Sequence, residues 1–326
     1  MQMHFHGNRN SHQSIGAIGP LRAVFRFGNT NHEGKTVMAN VTQQKQLTAA
    51  VTGAGSGLGR DIALALAAKN YRVFGTALSA QEIDDLNSAS QGAVRMSQCD
   101  ITDEAAVRNW VREVVAQTEG GLDLLISNAG VLTPGPLEVL PLSAIRHEFE
   151  VNVFAVLEVV NAFLPALRKQ RGRIVQVSTW TASLPLPFNG PSGASKAAMD
   201  AFAAVYRAEL KSFGVDVVIA VAGNMKTGGP AKTASALQRI ADGMSSDQRD
   251  LYGGAFETFA ATLNKMQGSG LDSKSAAKRV VDIAEQKPAP SRAPVGEDAE
   301  EILRLIHEKS DAEQDEIRLR MVGLKA

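Results

Sequence analysis

Gly53, Gly57 and Gly59 follow Thr52 with the spacing G-x-x-x-G-x-G, where the apolar run from Leu47 ends and the helix-like stretch DIALALAAKN begins. Glycines at such a junction let backbone approach a ligand closely, and the amides opening the next helix can hold a phosphate. The spacing differs from the plain dinucleotide fingerprint G-x-G-x-x-G, and a simple tight turn accounts for the same glycines taken alone. Other polar residues end other apolar runs: Asp100, Asn128, Ser178, Thr179 and Asn224. If those runs are parallel strands, their carboxyl ends meet in one cleft, and Thr52 joins the other polar residues there.

The elements that would position them alternate. YRVFGTA (71–77), GAVRMSQCD (92–100), LDLLISNAG (122–130), RIVQVST (173–179) and VDVVIAVAG (215–223) are short β-rich runs separated by helical patterns. This order predicts an α/β fold, a doubly wound parallel sheet of the Rossmann type, in a single domain over 41–326. The helical patterns at 143–170 and 192–213 carry broad apolar faces; VFAVLEVVNAFLPAL is interrupted by Glu158, Asn161 and Pro165, which predicts a buried helix and no membrane span. Apolar helices flanking a sheet also suit pairing between subunits, so a homodimer or homotetramer is expected.

The chain has 326 residues, 44% hydrophobic and 21% charged, with 34 basic residues balancing 34 acidic ones. That balance argues against a nucleic-acid partner, and the size permits a large core. One cysteine, Cys99, excludes an intramolecular disulfide framework and fits a reducing, cytoplasmic setting; as a small residue ending a strand, it reads as buried. The first 37 residues hold four of the six histidines and one acid, without periodicity. Residues 1–40 therefore read as a disordered extension or an upstream mis-assigned start, with Met38 opening an ordinary beginning and a transit peptide as the second reading. His4, His6 and His12 lack a cysteine or carboxylate partner, and no metal site is expected.

A dinucleotide site commonly declares its cofactor at the end of the second strand, where a carboxylate takes the ribose hydroxyls and repels a 2′-phosphate. Here that place holds Thr76, Ala77, Leu78 and Ser79. Without an acid to repel it, NADP is favoured over NAD, although no arginine attracts it.

Taken together, TGAGSGLG (52–59), Asp100, SNAG (127–130), Asn152, VST (177–179) and SGASK (192–196) resemble the short-chain dehydrogenase/reductase family from Leu47 to about Gly229. PVGEDAEEIL (294–303) resembles the tail of its retinol- and hydroxysteroid-dehydrogenase-like branch. The resemblance implies an NAD(P) site in which Gly53, Ser56, Gly57, Leu58 and Gly59 form the pyrophosphate turn. In it Asp100 faces the adenine, Asn128 packs beside the cofactor, Lys196 binds the nicotinamide ribose and Thr227 bonds the carboxamide.

The resemblance also implies a catalytic serine, tyrosine, lysine and asparagine, serving hydride transfer between nicotinamide and a carbonyl or alcohol carbon. Lys196 and Asn152 fill two of those places. The substrate-binding serine falls on Thr179, with Ser178 one residue earlier, and a threonine hydroxyl supplies the same hydrogen bond. The tyrosine position, four residues before Lys196, holds Ser192. A serine hydroxyl is far less acidic than a phenol and reaches roughly 4 Å less far. Loss of a positioned acid costs about 10²–10⁴-fold, unless a bridging water or another tyrosine substitutes. Of Tyr71, Tyr206 and Tyr252, only Tyr252 is placed to stand in. Ala222-Gly223 replaces the family's Pro-Gly, a change that loosens a turn.

The irregular stretch 224–273 is expected to be the lid, and its apolar content suggests a small apolar alcohol or ketone as substrate. Two functions stay open. One is an NAD(P)-dependent oxidoreductase with an altered acid–base step; the other is a catalytically inactive NAD(P)-binding sensor or interaction protein, or a chain inactivated by a tyrosine-to-serine change.

Overall fold

A computed structural model describes residues 45–226 and 229–325. The extension with His4, His6 and His12 lies outside the described residues, as does Thr227.

Strand β1 (Thr48–Val51) leads into α1 (Gly57–Ala68), β2 (Arg72–Ala77), α2 (Ala80–Ala89), β3 (Val94–Gln98), α3 (Glu104–Gln117) and β4 (Leu124–Ser127). Next come α4 (Leu142–Phe149), a π-helical turn (Glu150–Phe154), α5 (Ala155–Gln170), β5 (Arg173–Thr179), α6 (Gly190–Leu210) and β6 (Asp216–Ala222). The excursion that follows holds β7 (Met225–Lys226), α7 (Gly229–Gly243), α8 (Ser246–Gln248), a second π turn (Arg249–Gly253), α9 (Gly254–Ser269) and β8 (Leu271–Asp272). The chain then runs through α10 (Ser273–Glu285), β9 (Arg292–Val295), α11 (Glu297–Glu308) and α12 (Asp311–Met321).

Among the described residues, seven strands form one sheet in the order β3-β2-β1-β4-β5-β6-β9, and every pairing is parallel. Parallel strands must be covered on both faces, and alternation assigns each side chain to one of them. Ala50, Leu125, Ile174 and Ile219 pack with α3, α5 and α6, where the Trp110 and Phe163 rings meet edge to face at 5.1 Å. Val51, Ile126, Val175 and Val218 pack on the other face with Ile62 and Leu66 of α1 and Val280 and Val281 of α10. The doubly wound single sheet expected from the strand order is therefore present. Its last strand, β9, is an addition: four residues containing Pro294 give too short a run to read without its neighbour β6.

The order reverses between β1 and β4, which places a crevice at their carboxyl ends. The apolar stretch predicted as a single helix is two helices joined by the π turn. Leu142–Gln170 is long and apolar enough to cross a membrane by length and composition. Half of its 18-residue window is buried, with Val156, Val159, Val160, Phe163 and Leu167 inside the core.

Candidate functional site

The glycine turn is built by close approach. A β-carbon on Gly59 would lie 2.2 Å from the Gly53 carbonyl oxygen and 2.4 Å from Asn128 Nδ2, so helix α1 can abut the turn only with glycine there. Gly53 and Gly57 take positive φ, +65° and +56°, a region glycine enters without penalty. Neighbouring strands brace the turn. Thr76 Oγ1 accepts from Gly53 N at 3.1 Å, Thr52 Oγ1 accepts from Asn128 N at 3.0 Å, and Asn128 Nδ2 donates to Thr52 O at 3.1 Å. Helices α2 and α3 are capped by the side chains of Ser79 and Asp103, whereas the Ser56 side chain makes no cap on α1 and the first turn of α1 carries no acid. The N-terminal amides of α1 are thus left for an anion, which is the feature a pyrophosphate needs.

The turn opens onto a cavity of about 670 Å³. Of the predicted cofactor residues, Gly53, Ser56, Asp100 and Asn128 line it; Leu58 turns its side chain into the core, so only backbone from that residue could serve a ligand. Asp100 Oδ1 accepts from Thr102 N and Oγ1 at 3.0 and 2.8 Å, which fixes its carboxylate at the end of β3. Cys99 also lines the cavity; its thiol is pushed up to about 11, first by burial, and it is the buried small residue expected. Thr233, Ala236 and Arg239 of α7 also line the cavity.

Behind this cavity stands a second group of side chains. A β-carbon on Gly130 would lie 3.1 Å from Asn152 Oδ1 and 3.3 Å from Lys196 Nζ, so both predicted residues sit directly beneath the cavity lining. Lys196 Nζ donates to Val177 O at 3.2 Å. Burial lowers its pKa, opposed by the charges of Asp200 and Glu148. Asn152 lies in the π turn, where an inserted residue re-aims side chains. Its amide clips Val131 from both sides, accepting from Val131 N at 2.9 Å and donating to Val131 O at 3.0 Å; Nδ2 also reaches Ser195 Oγ at 3.0 Å. The Asn152 side chain is therefore committed to the loop at Val131 and to α6.

Ser192 is buried one turn before Lys196 on α6; its carbonyl accepts from Ser195 Oγ, and its own hydroxyl makes no hydrogen bond among the described residues. Thr179 Oγ1 accepts from Thr181 N at 3.4 Å, capping a short 3₁₀ turn at 180–182. Ser178 is buried near Asp200, whose pKa it lowers, and its hydroxyl makes no hydrogen bond among the described residues. Ser178, Thr179, Ser192 and Lys196 do not line this cavity itself.

The three phenols are engaged elsewhere: Tyr71 with Glu285 at 3.2 Å, Tyr206 with Asn161 at 2.7 Å, and Tyr252 with Glu138. Tyr252 packs edge to face on Phe188, as do Phe256 and Phe259, and it makes no hydrogen bond with Ser192 or Lys196. Phe188 holds φ at +59°, and its carbonyl accepts from Gly135 N at 2.7 Å, joining α9, the 130–141 loop and the approach to α6.

Four features escaped the sequence reading. Buried Glu148 accepts from Thr133 N at 2.8 Å and from Asn152 Nδ2 at 3.3 Å, and burial pushes its carboxyl up to about 7. Buried Asp200, one turn after Lys196, is ion-paired to Arg292 of β9 at 2.8 Å; burial raises its pKa, against Ser178, Arg292 and Lys196. Asp298 holds the turn after β6, taking Asn224 N at 2.7 Å and Asn224 Nδ2 at 3.1 Å, so this turn is pinned rather than loosened. Glu82 of α2 lines the cavity. A Glu four residues before Asn152 was visible in the sequence; the others depend on which elements meet.

Residues 47–237 match the model of a protein family described as short chain dehydrogenase. Retinol dehydrogenase 16 of Mus musculus is 33% identical over 223 residues, covering 66% of this chain and 69% of that protein. A 3-ketodihydrosphingosine reductase of Bacteroides thetaiotaomicron is 27% identical over 248 residues, covering 76% and 86%. The crystal structure of a short-chain dehydrogenase from Streptomyces avermitilis superposes with a TM-score of 0.69 at 26% identity, covering 83% of this chain and 96% of that one.

Proposed function

Because the chain belongs to the short-chain dehydrogenase family, we propose that it is an NAD(P)-dependent oxidoreductase acting on a carbonyl or alcohol carbon of an apolar substrate, with an acid–base step altered at Ser192. The observation that carries this reading is the uncapped N-terminus of α1, set against a glycine turn and opening on a cavity with Lys196 just behind Gly130. When bound, the nicotinamide cofactor supplies or accepts the hydride.

The chain's own residues then divide the work. Gly53 and Ser56 border the phosphate end, with Gly57 and Gly59 shaping the turn beneath, while Asp100 and Asn128 line the remainder. Thr179 accepts from Thr181 N, which leaves its hydroxyl proton for a substrate oxygen. Lys196 brings positive charge toward the substrate side and favours an oxyanion there. Ser192 is the nearest hydroxyl on the same helix face, and with a water bridging it to Lys196 it would pass a proton less readily than a phenol. The retinol and ketosphingoid named for two relatives support an apolar substrate.

The reading extends to a homo-oligomer, supported by exposed Phe154, Phe202 and Val205 on the π turn and α6, and to a cytoplasmic setting, supported by the lone buried Cys99. The commitment of all three phenols elsewhere favours one second reading, a cofactor-binding protein without useful turnover.

The test compares the chain with Ser192→Tyr, following NADH and NADPH oxidation against apolar ketones and aldehydes after cofactor binding is shown by fluorescence. A gain of about 10²-fold or more from tyrosine supports a reductase lacking its acid. Good turnover by the parent, unimproved by tyrosine, would mean that Ser192 works differently; binding without turnover in either chain favours the second reading.

A further inference from the structure

Glu82 has no part in the scheme above, yet it enters the same cavity. Ser79 caps α2 and accepts from Glu82 N at 3.3 Å, and helix side chains lean toward the N-terminus, so Glu82 is directed back over the end of β2. There it covers Gly55. A β-carbon on Gly55 would lie 2.8 Å from Glu82 Cβ, 2.9 Å from Glu82 Oε2 and 2.7 Å from Ala77 Cβ, so the carboxylate occupies this place only because residue 55 has no side chain.

The Glu82 carboxylate is partly buried and has no hydrogen-bond or ion-pair partner among the described residues. Thr76, Ala77 and Leu78 line the cavity with it from the end of β2, and Asp100 from the end of β3. Arg239, which also lines the cavity, stands on α7. In a doubly wound sheet the acid that takes the ribose hydroxyls follows the glycine turn by roughly 20 residues and acts at the end of β2. The strand end itself carries no acid, which underlies the expectation of NADP; helix α2 brings one to the same place.

We propose that Glu82, delivered from the first turn of α2, is the acceptor for the adenosine-ribose hydroxyls and makes this chain selective for NAD over NADP. The inference rests on the cofactor-binding reading above and deepens it. A vicinal diol offers two O–H donors to two carboxylate oxygens, whereas a 2′-phosphate would bring a second negative group against Glu82, with Asp100 on the same cavity wall.

The experiment is a fluorescence titration of the full chain, Glu82→Gln and Glu82→Ala with NADH and with NADPH, accompanied by melting curves to show that all three fold. The parent is expected to bind NADH at least tenfold tighter than NADPH. Glu82→Gln, uncharged but still an acceptor, should gain about tenfold in NADPH affinity with a smaller loss for NADH. Glu82→Ala should lose NADH affinity as well. A parent that binds NADPH as tightly as NADH, or variants that leave the ratio unchanged, would overturn the role of Glu82 while leaving the dinucleotide site standing. Binding of neither cofactor would overturn the dinucleotide reading, and Glu82's role with it.

Discussion

Lys196 Nζ donates to the carbonyl of Val177 at 3.2 Å, tying helix α6 to β5 two residues before Thr179. The ammonium is held between that carbonyl and the charges of Asp200 and Glu148, while burial draws its pKa down. Replacing Lys196 with Met keeps the stem and removes the charge. Turnover, where the parent or Ser192→Tyr shows it, should fall by about 10²-fold or more, with weaker dinucleotide binding. The pH profile carries a second signature: an amine with a lowered pKa loses its proton below the ordinary lysine range, so the alkaline limb attributable to Lys196 should begin early and vanish in Lys196→Met.

Glu148 supplies a pH prediction with a defined sign. Burial raises its carboxyl from 4.5 to about 7, against the hydrogen bond from Thr133 and the charge of Lys196. The folded state therefore holds the proton more tightly than the unfolded chain. Its contribution is fully present below pH 4.5 and is lost as pH rises through 7. Glu148→Gln stays neutral throughout and retains an acceptor for Thr133 N. Unfolding free energy against pH should fall more steeply between 5 and 8 in the parent, with the variant ahead at pH 8 by on the order of 3 kcal/mol. Parallel curves would mean that Glu148 is not the group titrating.

How much of this was legible in the sequence follows physical range. The glycine turn could be read because its requirement, backbone that no side chain obstructs, is written in adjacent residues: Gly53, Gly57 and Gly59. The first six strands of the sheet could be read because each is a β-rich run ending in a small or polar residue. Helix α6 could be read too, and with it the placement of Ser192 and Lys196 one turn apart. The π turn could not, because apolar periodicity through 143–170 looks the same with or without one extra residue in the coil. Strand β9 and the two-residue strands β7 and β8 are shorter than any period, and they exist only through their partners. Glu82, Asp200 and Asp298 act on residues of other elements, at Gly55, Arg292 and Asn224. Local spacing carries no record of those meetings.

The base of the excursion after β6 should behave as a clasp. Parallel pairing of β7 with β8 and the bond from Leu271 N to Asn224 O at 2.9 Å close the excursion, and Asp298 holds Asn224 from outside. Two hydrogen bonds to a carboxylate contribute about 1.5–3 kcal/mol each. Asp298→Ala is expected to lower stability by about 3–6 kcal/mol and to speed amide exchange at Asn224 and Leu271. Gly223→Ala should reproduce this, since its β-carbon would lie 1.8 Å from Asp298 Oδ1 and force the carboxylate away. The double variant should cost less than the two single changes added together, because both break the same clasp; strict additivity would separate the two sites.

Gly59 provides the sharpest steric test. Its added β-carbon would meet backbone, the Gly53 carbonyl at 2.2 Å, as well as Asn128 Nδ2 at 2.4 Å, and neither can withdraw while the turn stays braced by Thr52. Gly59→Ala must therefore push α1 away from the turn and carry the helix amides with it. Dinucleotide affinity should fall more than tenfold, and melting temperature should drop by several degrees, since a clash of this kind costs about 1–3 kcal/mol. Gly254→Ala is the matched control. Gly254 opens α9 at φ −63° and ψ −40°, with no atom within 4 Å of the new β-carbon. Alanine there should stabilise the helix by about 0.5–1 kcal/mol and leave binding unchanged. If Gly59→Ala binds NADH and NADPH as the parent does, the close approach of α1 to the turn is not what holds the cofactor.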